Sequence, residues 1–135
     1  MDLILDFLAR HPILTTAFIV VLVAVIGNEI ARNGWRGYDP TWERGGLKGA
    51  LAKGVVIRGN DVHDNHGPGL WCDIECADIT YEGNFVENNE GAGIFHEISY
   101  RAVVRSNRLV HNGLASNVWF WGANILIAAS ENVLV

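Results

Sequence analysis

The sequence has few cysteines, no basic run and no apolar run long enough for a membrane helix. Its two cysteines, Cys72 and Cys76, are too few for a disulfide scaffold, and their spacing without a second pair is weak evidence for a metal site. The formal net charge of -5, without a basic run, argues against nucleic acid as a partner. An almost wholly apolar run at residues 13–26 has 14 residues, whereas a membrane helix needs about 20.

Glycine and asparagine are abundant instead. The chain of 135 residues is half hydrophobic and contains 15 glycines. This mixture speaks against a helical bundle and favours short strands joined by many tight turns. The length allows one domain at most.

Asparagine recurs at regular intervals and defines a repeat. The first asparagine of each unit is Asn28, Asn60, Asn84 or Asn107. A second asparagine follows each one after five residues, at Asn33, Asn65, Asn89 and Asn112. The periods are 32, 24 and 23 residues, so a unit of about 23 residues carries one insertion, which we place within residues 39–53.

Each unit predicts short strands with one buried face. Apolar residues alternate with polar ones before the first asparagine, and an apolar residue follows two positions after it, at Ile30, Val62, Val86 and Leu109. A single unit cannot bury its apolar face, but copies stacked about 4.8 Å apart can, because each strand then pairs with its equivalents. Such a coil of parallel strands is favoured to be right-handed. The asparagines are then predicted to stack at the bends, where their role is structural and not catalytic. Three outward charges, Arg58, Glu82 and Arg105, are predicted to form an alternating ladder.

One sequence phrase occurs twice in related form, as GPGLWCD from Gly67 and as GAGIFHE from Gly91. Alternation predicts an inward set and an outward set in these strands. The predicted inward residues are Leu70, Cys72, Ile74, Ile94, His96 and Ile98. The predicted outward residues are Trp71, Asp73, Glu75, Phe95, Glu97 and Ser99, with Trp71 over Phe95 and Asp73 over Glu97. If one residue is inserted near Ala115, Trp119 and Trp121 are predicted to continue these two columns in the next coil.

The outward columns have a functional and a structural interpretation. Exposed rings with nearby carboxylates suit a polysaccharide groove, whereas stacked aromatics also stabilise a sheet face. Asp73 and Glu97 should repel each other, which is tolerated if the pair binds a cation such as Ca²⁺ or holds a shared proton. No cofactor is certain from the sequence. Three further histidines, His63, His66 and His111, are expected to be solvated near turns.

Several motifs carry a resemblance to a known family. They are the repeated GNxVxxN pattern, the phrases GPGLWCDI and GAGIFHEIS, and the terminal NILIAASENVLV. Over roughly residues 23–135 the chain resembles right-handed parallel β-helix proteins related to pectate lyase. The resemblance implies an all-β solenoid of four to five coils, and a secreted or cell-surface protein. It is less specific for activity, because the family includes lyases, hydrolases, epimerases, adhesins and uncharacterised secreted proteins.

Two function classes follow. The first is a carbohydrate-binding or carbohydrate-active protein, such as a lyase or epimerase on acidic polysaccharide. In that chemistry a cation neutralises the uronate and a base removes the C5 proton, roles that Arg101, His96 and Glu97 could take. Trp71, Asp73, Phe95, Trp119 and Trp121 would bind the substrate. The second class is a non-catalytic structural or adhesive module, or an inactive fragment, with His96 as a core histidine. A basic residue beside Asp73 and Glu97 would discriminate between the classes.

The two ends depart from the repeat. Residues 1–22 are a separate apolar leader, for which a helical cap, a signal or anchor segment and a foreign junction remain open. A membrane partner is expected only if this leader is an anchor. The repeat domain spans residues 23–135 and stops at Val135, where the pattern requires another coil, which predicts a truncated domain. Open coil ends predict self-association through exposed strand edges.

Overall fold

The computed structural model describes residues 25–39, 41–115 and 122–135, which contain strands and no helix. The strands in chain order are β1 (Glu29–Ala31), β2 (Leu47–Ala50), β3 (Val56–Arg58), β4 (Asp61–His63), β5 (Leu70–Asp73), β6 (Ala77–Glu82), β7 (Phe85–Glu87), β8 (Ile94–Glu97), β9 (Tyr100–Arg105), β10 (Arg108–Val110), β11 (Ile125–Ala128) and β12 (Glu131–Leu134). Every third strand belongs to the same sheet, as expected for a three-sided coil.

The strands form three parallel sheets. Sheet I has the order β1-β4-β7-β10, sheet II has the order β2-β5-β8-β11, and sheet III has the order β3-β6-β9-β12. Every strand pairing is parallel. The chain passes from sheet I to sheet II to sheet III and then begins the next coil. The predicted parallel β-helix is confirmed.

The core lies in the space that the three sheets enclose. Val62 pairs with Val86, which pairs with Leu109, so the predicted inward column of sheet I is confirmed. Val62 and Val86 are fully buried. Leu70 and Ile94 form the equivalent inward pair in sheet II. Each apolar residue therefore packs against its own equivalent one coil away.

Two asparagine ladders run along the coil axis, as predicted. Asn60 donates its backbone N–H and its side-chain amide to Asn84 Oδ1, at 3.0 and 2.9 Å. Asn84 makes the same two bonds to Asn107 Oδ1, at 3.0 and 2.8 Å. The second ladder joins Asn33, Asn65, Asn89 and Asn112 in the same way. It continues to Asn124, which the repeat alignment did not include.

The glycines of the repeated phrase allow the coils to approach closely. A Cβ atom on Gly69 would lie 2.7 Å from the carbonyl oxygen of Gly93 and 2.9 Å from Asn89 Nδ2. A Cβ atom on Gly93 would meet the carbonyl oxygen of Asn124 at 2.7 Å. Real Cβ atoms do not come this close to backbone. The phrase therefore repeats glycine because the second asparagine ladder packs against it.

The predicted charge ladder on sheet III is confirmed. Glu82 lies between two guanidinium groups, with 2.8 Å to Arg58 Nη2 and 3.1 Å to Arg105 Nη2. The hydrogen bond from Arg105 is the main cause of a lowered pKa for Glu82. Both guanidinium groups are exposed and Glu82 is only partly buried, so the pairs contribute little to stability.

The prediction that Ile74 and Ile98 face inward is wrong. Ile74 is 47% exposed and Ile98 is 45% exposed. Both follow the last residue of a sheet II strand and have left-handed backbone, with φ of 45° and 47°. The left-handed turn ends the alternation, so the next inward position falls on Cys76 and Ser99, and the outward prediction for Ser99 is also wrong. Ser99 is buried, and its Oγ accepts a hydrogen bond from the Cys76 N–H.

Two further predictions on register need correction. The first insertion lies between Asn33 and Leu47, because β2 pairs in register with β5 from Leu47 onward. The predicted interval of residues 39–53 overlaps this insertion but extends into β2. In the last coil, the columns of Phe95 and Glu97 continue with Leu126 and Ala128, not with the predicted tryptophans. Ile125 follows Asn112 by 13 positions, whereas Ile94 follows Asn89 by 5 positions, so the last coil holds a longer insertion than the single residue predicted.

The predictions for the amino-terminal leader, residues 1–22, lie outside the described residues. No helix in the described part of the chain is long and apolar enough to span a bilayer.

Candidate functional site

The outer face of sheet II carries the predicted aromatic pair. Trp71 stacks on Phe95 with ring centroids 5.2 Å apart and an interplanar angle of 17°. The stacking prediction is confirmed, but the prediction of exposure is wrong, because each residue is only 1% exposed. Both rings pack in a separate apolar cluster with Ala92, Leu126 and Ala128. In this conformation the two rings are not accessible as a platform for a sugar.

A lysine that the sequence analysis missed lies beside this aromatic pair. Lys48, on β2, pairs with Trp71 on β5. Its Nζ lies 2.9 Å from Asp73 Oδ2 and 3.5 Å from the centroid of the Trp71 ring. It also donates to the carbonyl oxygen of Trp42 in the first insertion. Correct placement of that insertion would have revealed Lys48, because it puts the lysine in register with Trp71.

Asp73 and Glu97 end equivalent strands on the same outer face. Asp73 is 7% exposed and Glu97 is half-buried. The pKa of Glu97 is raised, first by burial and then by the negative charge of Asp73, with a smaller opposing effect from Lys48. The predicted repulsion between the two carboxylates is therefore present, and the ammonium of Lys48 offsets part of it.

His96 lies inside the coil, on the opposite face of β8 from Glu97. It is fully buried, and its Nδ1 is 3.1 Å from the hydroxyl of Tyr81. Burial lowers the pKa of His96 and raises the pKa of neighbouring Cys72 to about 12. Its Nε2 has no hydrogen-bond partner within the described ranges. These are the surroundings of a neutral core histidine, and its catalytic role stays a prediction.

Arg101 is the second residue of β9, in sheet III, and is exposed. Its guanidinium forms two bonds with Asp78, Nε to Oδ1 at 2.7 Å and Nη2 to Oδ2 at 3.0 Å. This pair lowers the pKa of Asp78. The guanidinium is thus engaged with Asp78, and its predicted role of neutralising a uronate stays a prediction. Trp119 and Trp121 lie outside the described residues.

A concave region lies at the corner between sheets I and II. We call it the corner cleft, and it has a volume of about 480 Å³. The described residues that line it are Trp35, Asp64, Asn65, His66, Asn88, Asn89, Glu90, His111, Leu114 and Ala115. The sequence analysis predicts His66 and His111 near turns, but nothing in the repeat indicates that they share a cleft with Trp35. The signal that could have located it is the insertion after Asn33, which carries Trp35.

Metal ligands do not cluster in the described ranges. No group of three or more His, Cys, Asp or Glu side chains there could hold a metal ion. Beside Asp73 the positive charge comes from Lys48. The sequence analysis considered Ca²⁺ as the positive charge beside Asp73 and Glu97. Lys48 is an alternative source of that positive charge within the protein.

Comparison with known proteins agrees with the topology of the three sheets. A family model described as a right handed beta helix region matches residues 21–132. No curated protein and no solved structure matched the chain. The family match covers most of the sequence, and it agrees with the parallel strands, the three stacked sheets and the asparagine ladders. The chain therefore belongs to the right-handed β-helix family.

Proposed function

We propose that this protein is carbohydrate-active and acts on acidic polysaccharide at a site formed by Lys48, Asp73 and Glu97. The observation that supports the proposal is the convergence of one ammonium and two carboxyl groups on the outer face of sheet II. A basic residue beside this carboxylate pair is the feature that lyase or epimerase chemistry requires. Such a substrate fits a secreted or cell-surface protein.

The residues of the site divide the chemistry between them. Lys48 supplies the positive charge that a uronate carboxylate needs before its C5 proton becomes acidic. Glu97 is the base, because a carboxylate with a raised pKa holds an abstracted proton more strongly. In an elimination, Glu97 takes the C5 proton and the electrons of the C5–H bond form the C4–C5 double bond. The glycosidic oxygen leaves C4 with the electrons of the C4–O bond and takes up a proton from water. Asp73 positions Lys48 through their ion pair.

Access to this site requires the first insertion to move away from the outer face of sheet II. The side chain of Lys48 is 23% exposed and that of Asp73 is 9% exposed. The polymer therefore has to reach Lys48 and Glu97 past the first insertion, whose Trp42 carbonyl accepts the Lys48 hydrogen bond. Lid movement of this kind is common where a site must exclude water.

The burial of this face favours a second candidate function. With Trp71 and Phe95 both 1% exposed, the cluster also serves as a second small core on the outside of sheet II. In this alternative the protein is a non-catalytic structural or adhesive module, and Lys48 only neutralises a buried Asp73.

Activity on acidic polymers tests the proposal. The full chain is incubated with polygalacturonate and with alginate, with and without Ca²⁺, and unsaturated products are followed by ultraviolet absorbance. Epimerisation is followed by NMR of the polymer. Glu97→Gln and Lys48→Met should each lower the rate by about a hundredfold or more, the usual contribution of a general base. Glu131→Gln, an exposed carboxylate on β12, is the matched control and should keep full activity.

The result that overturns the proposal is absence of activity in the wild-type protein on both polymers. That result would leave the structural module as the function.

A further inference from the structure

The corner cleft contains an aromatic ring that is held in place and still open to solvent. Trp35 stacks on His66 with ring centroids 4.5 Å apart and an interplanar angle of 5°. His66 is held in turn by a contact between its Nδ1 and a carboxylate oxygen of Glu90. Trp35 nevertheless remains 64% exposed. A ring that is fixed on one face loses little freedom when a ligand stacks on the other.

Polar side chains recur along the cleft, one from each coil. Asp64, Asn88 and His111 occupy equivalent left-handed turn positions, with φ of 52°, 52° and 55°. All three are exposed and line the cleft. Stacked coils repeat at about 4.8 Å, so these groups form a regular row along the axis. A linear oligosaccharide presents its hydroxyl groups as a similarly regular row.

The charge of the cleft selects against acidic sugars. The described lining includes the carboxylates Asp64 and Glu90, and it includes no lysine or arginine. Carboxylates accept hydrogen bonds from sugar hydroxyls, whereas a uronate carboxylate would be repelled. Leu114, which is 80% exposed, adds an apolar surface at the same cleft. The chemistry therefore differs from that of the Lys48 site on sheet II.

We propose that the corner cleft is a separate binding site for a linear oligosaccharide without carboxylate groups, with Trp35 as the stacking platform. Asp64, Asn88, Glu90 and His111 hydrogen-bond its hydroxyls. The inference shares the ligand class of the proposed function, a polysaccharide, but it does not depend on acid–base chemistry at Glu97. Together the two sites fit a polymer with both acidic and neutral segments.

Isothermal titration of the full chain tests the site. The neutral probes are cellohexaose, xylohexaose and mannohexaose, and the acidic probe is hexagalacturonate. At least one neutral probe should bind, and Trp35→Ala should weaken that binding by about tenfold or more, the loss expected from about 1.4 kcal/mol of stacking. Trp35→Phe should keep most of the affinity. Trp42→Ala is the matched control, because Trp42 is also 64% exposed in the same insertion but does not line the cleft.

NMR of the wild-type protein gives a second measurement that does not depend on a variant's folding. Addition of the neutral probe should shift the indole N–H resonance of Trp35 and leave that of Trp42 unchanged. Failure of every neutral probe to bind would overturn the proposal, as would equal losses in Trp35→Ala and Trp42→Ala. Binding of hexagalacturonate at the cleft as tightly as the neutral probe would overturn the charge argument and with it the proposal.

The two proposals fail separately. Glu97→Gln should leave binding of the neutral probe unchanged. Neutral binding that depends on Trp35, in a protein inactive on acidic polymers, would retain the cleft and reject the proposed function. Activity on acidic polymers without any neutral binding would do the reverse.

Discussion

At the scale of single residues, the amide of each interior ladder asparagine is bonded to the coils on either side. Asn84 Oδ1 accepts two hydrogen bonds from Asn60, and its Nδ2 donates to Asn107 Oδ1 and to the carbonyl oxygen of Ile57, the latter at 2.9 Å. Asn84 is 1% exposed. Removal of such a side chain leaves buried donors and acceptors without partners, which costs more than the bonds themselves contribute.

Asn84→Ala should therefore lower the free energy of unfolding by about 1–3 kcal/mol. Asn107→Ala should cost less, because Asn107 is only half-buried and more of its partners can bond to water. Urea denaturation of the wild type and both variants measures the difference. An equal or larger loss in Asn107→Ala would contradict the burial argument.

Glu97 should make stability depend on pH in a defined direction. Burial and Asp73 raise the pKa of Glu97, so the folded state holds this proton more tightly than the unfolded chain does. Its contribution is fully present below the ordinary glutamate pKa of 4.5 and is lost as pH rises through the raised pKa. Glu97→Gln, which stays neutral, should thus have a higher Tm than wild type at neutral pH.

Thermal melting across pH measures this effect. The Tm difference between Glu97→Gln and wild type should shrink as pH falls through the raised pKa of Glu97, and it should be gone below pH 4.5. Glu131→Gln, whose carboxylate is exposed, is the control and should show no such trend. A Glu97→Gln variant that is less stable than wild type at neutral pH would show that the Lys48 attraction outweighs the repulsion.

The sequence predicted which residues share a column more reliably than whether the column is exposed. Trp71 over Phe95 follows from the repeat, because equivalent positions stack. The exposure of the two rings does not, because it depends on what covers the outer face of sheet II. The approach of Lys48 to Asp73 was missed for a related reason: the first insertion changes the spacing between Asn33 and β2, and pattern matching set its boundary too late.

At the scale of elements, the turn from sheet II to sheet III ends the alternation of inward and outward residues that the sequence suggests. Apolar residues continue at every second position from Leu70 through Cys72 to Ile74, yet the strand ends at Asp73. Ile74 and Ile98 then adopt left-handed backbone at the same place in successive coils. A β-branched residue is uncommon in this conformation, so no residue-type rule would have predicted a turn there. The recurrence shows that the coil geometry imposes it.

Ile74→Asn tests this assignment directly. Asparagine tolerates left-handed backbone, and the isoleucine is 47% exposed, so the variant should be as stable as wild type or more stable by about 1 kcal/mol. Ile79→Asn is the matched comparison, since Ile79 is 1% exposed in the core. That variant should lose about 2–5 kcal/mol. Chemical denaturation distinguishes the two cases, and a large loss in Ile74→Asn would restore the inward assignment.

At the scale of the whole molecule, the repeat was sufficient to predict the architecture. One unit cannot bury its own apolar face, so a repeated unit of about 23 residues implies stacking, and stacking implies parallel sheets. The same logic cannot predict the corner cleft. Trp35 lies in an insertion that has no equivalent in the next coil, and nothing in a repeat specifies how an insertion folds.

The outermost described strands should promote self-association. β1, β2 and β3 at one end, and β10, β11 and β12 at the other, each pair with a single neighbouring strand of the described sheets. Unpaired strand edges are templates for further pairing. A chain of residues 23–135 should therefore associate as its concentration rises, unless residues 1–22 normally cover one end. Sedimentation velocity over a range of concentrations measures this, and a strictly monomeric 23–135 chain would contradict it.

The stacking of equivalent residues links the length of the chain to its chemistry. Removal of residues 61–84 would join Asn60 to Phe85 and leave the remaining coils in the same register, because Phe85 already occupies the position of Asp61. Lys48, Asp73 and Glu97 each belong to a different coil. Loss or duplication of one coil would thus delete or copy one charged group as a unit. In a protein of this kind, a site can change in evolution through the gain or loss of a whole coil, while the remaining coils keep their sequences.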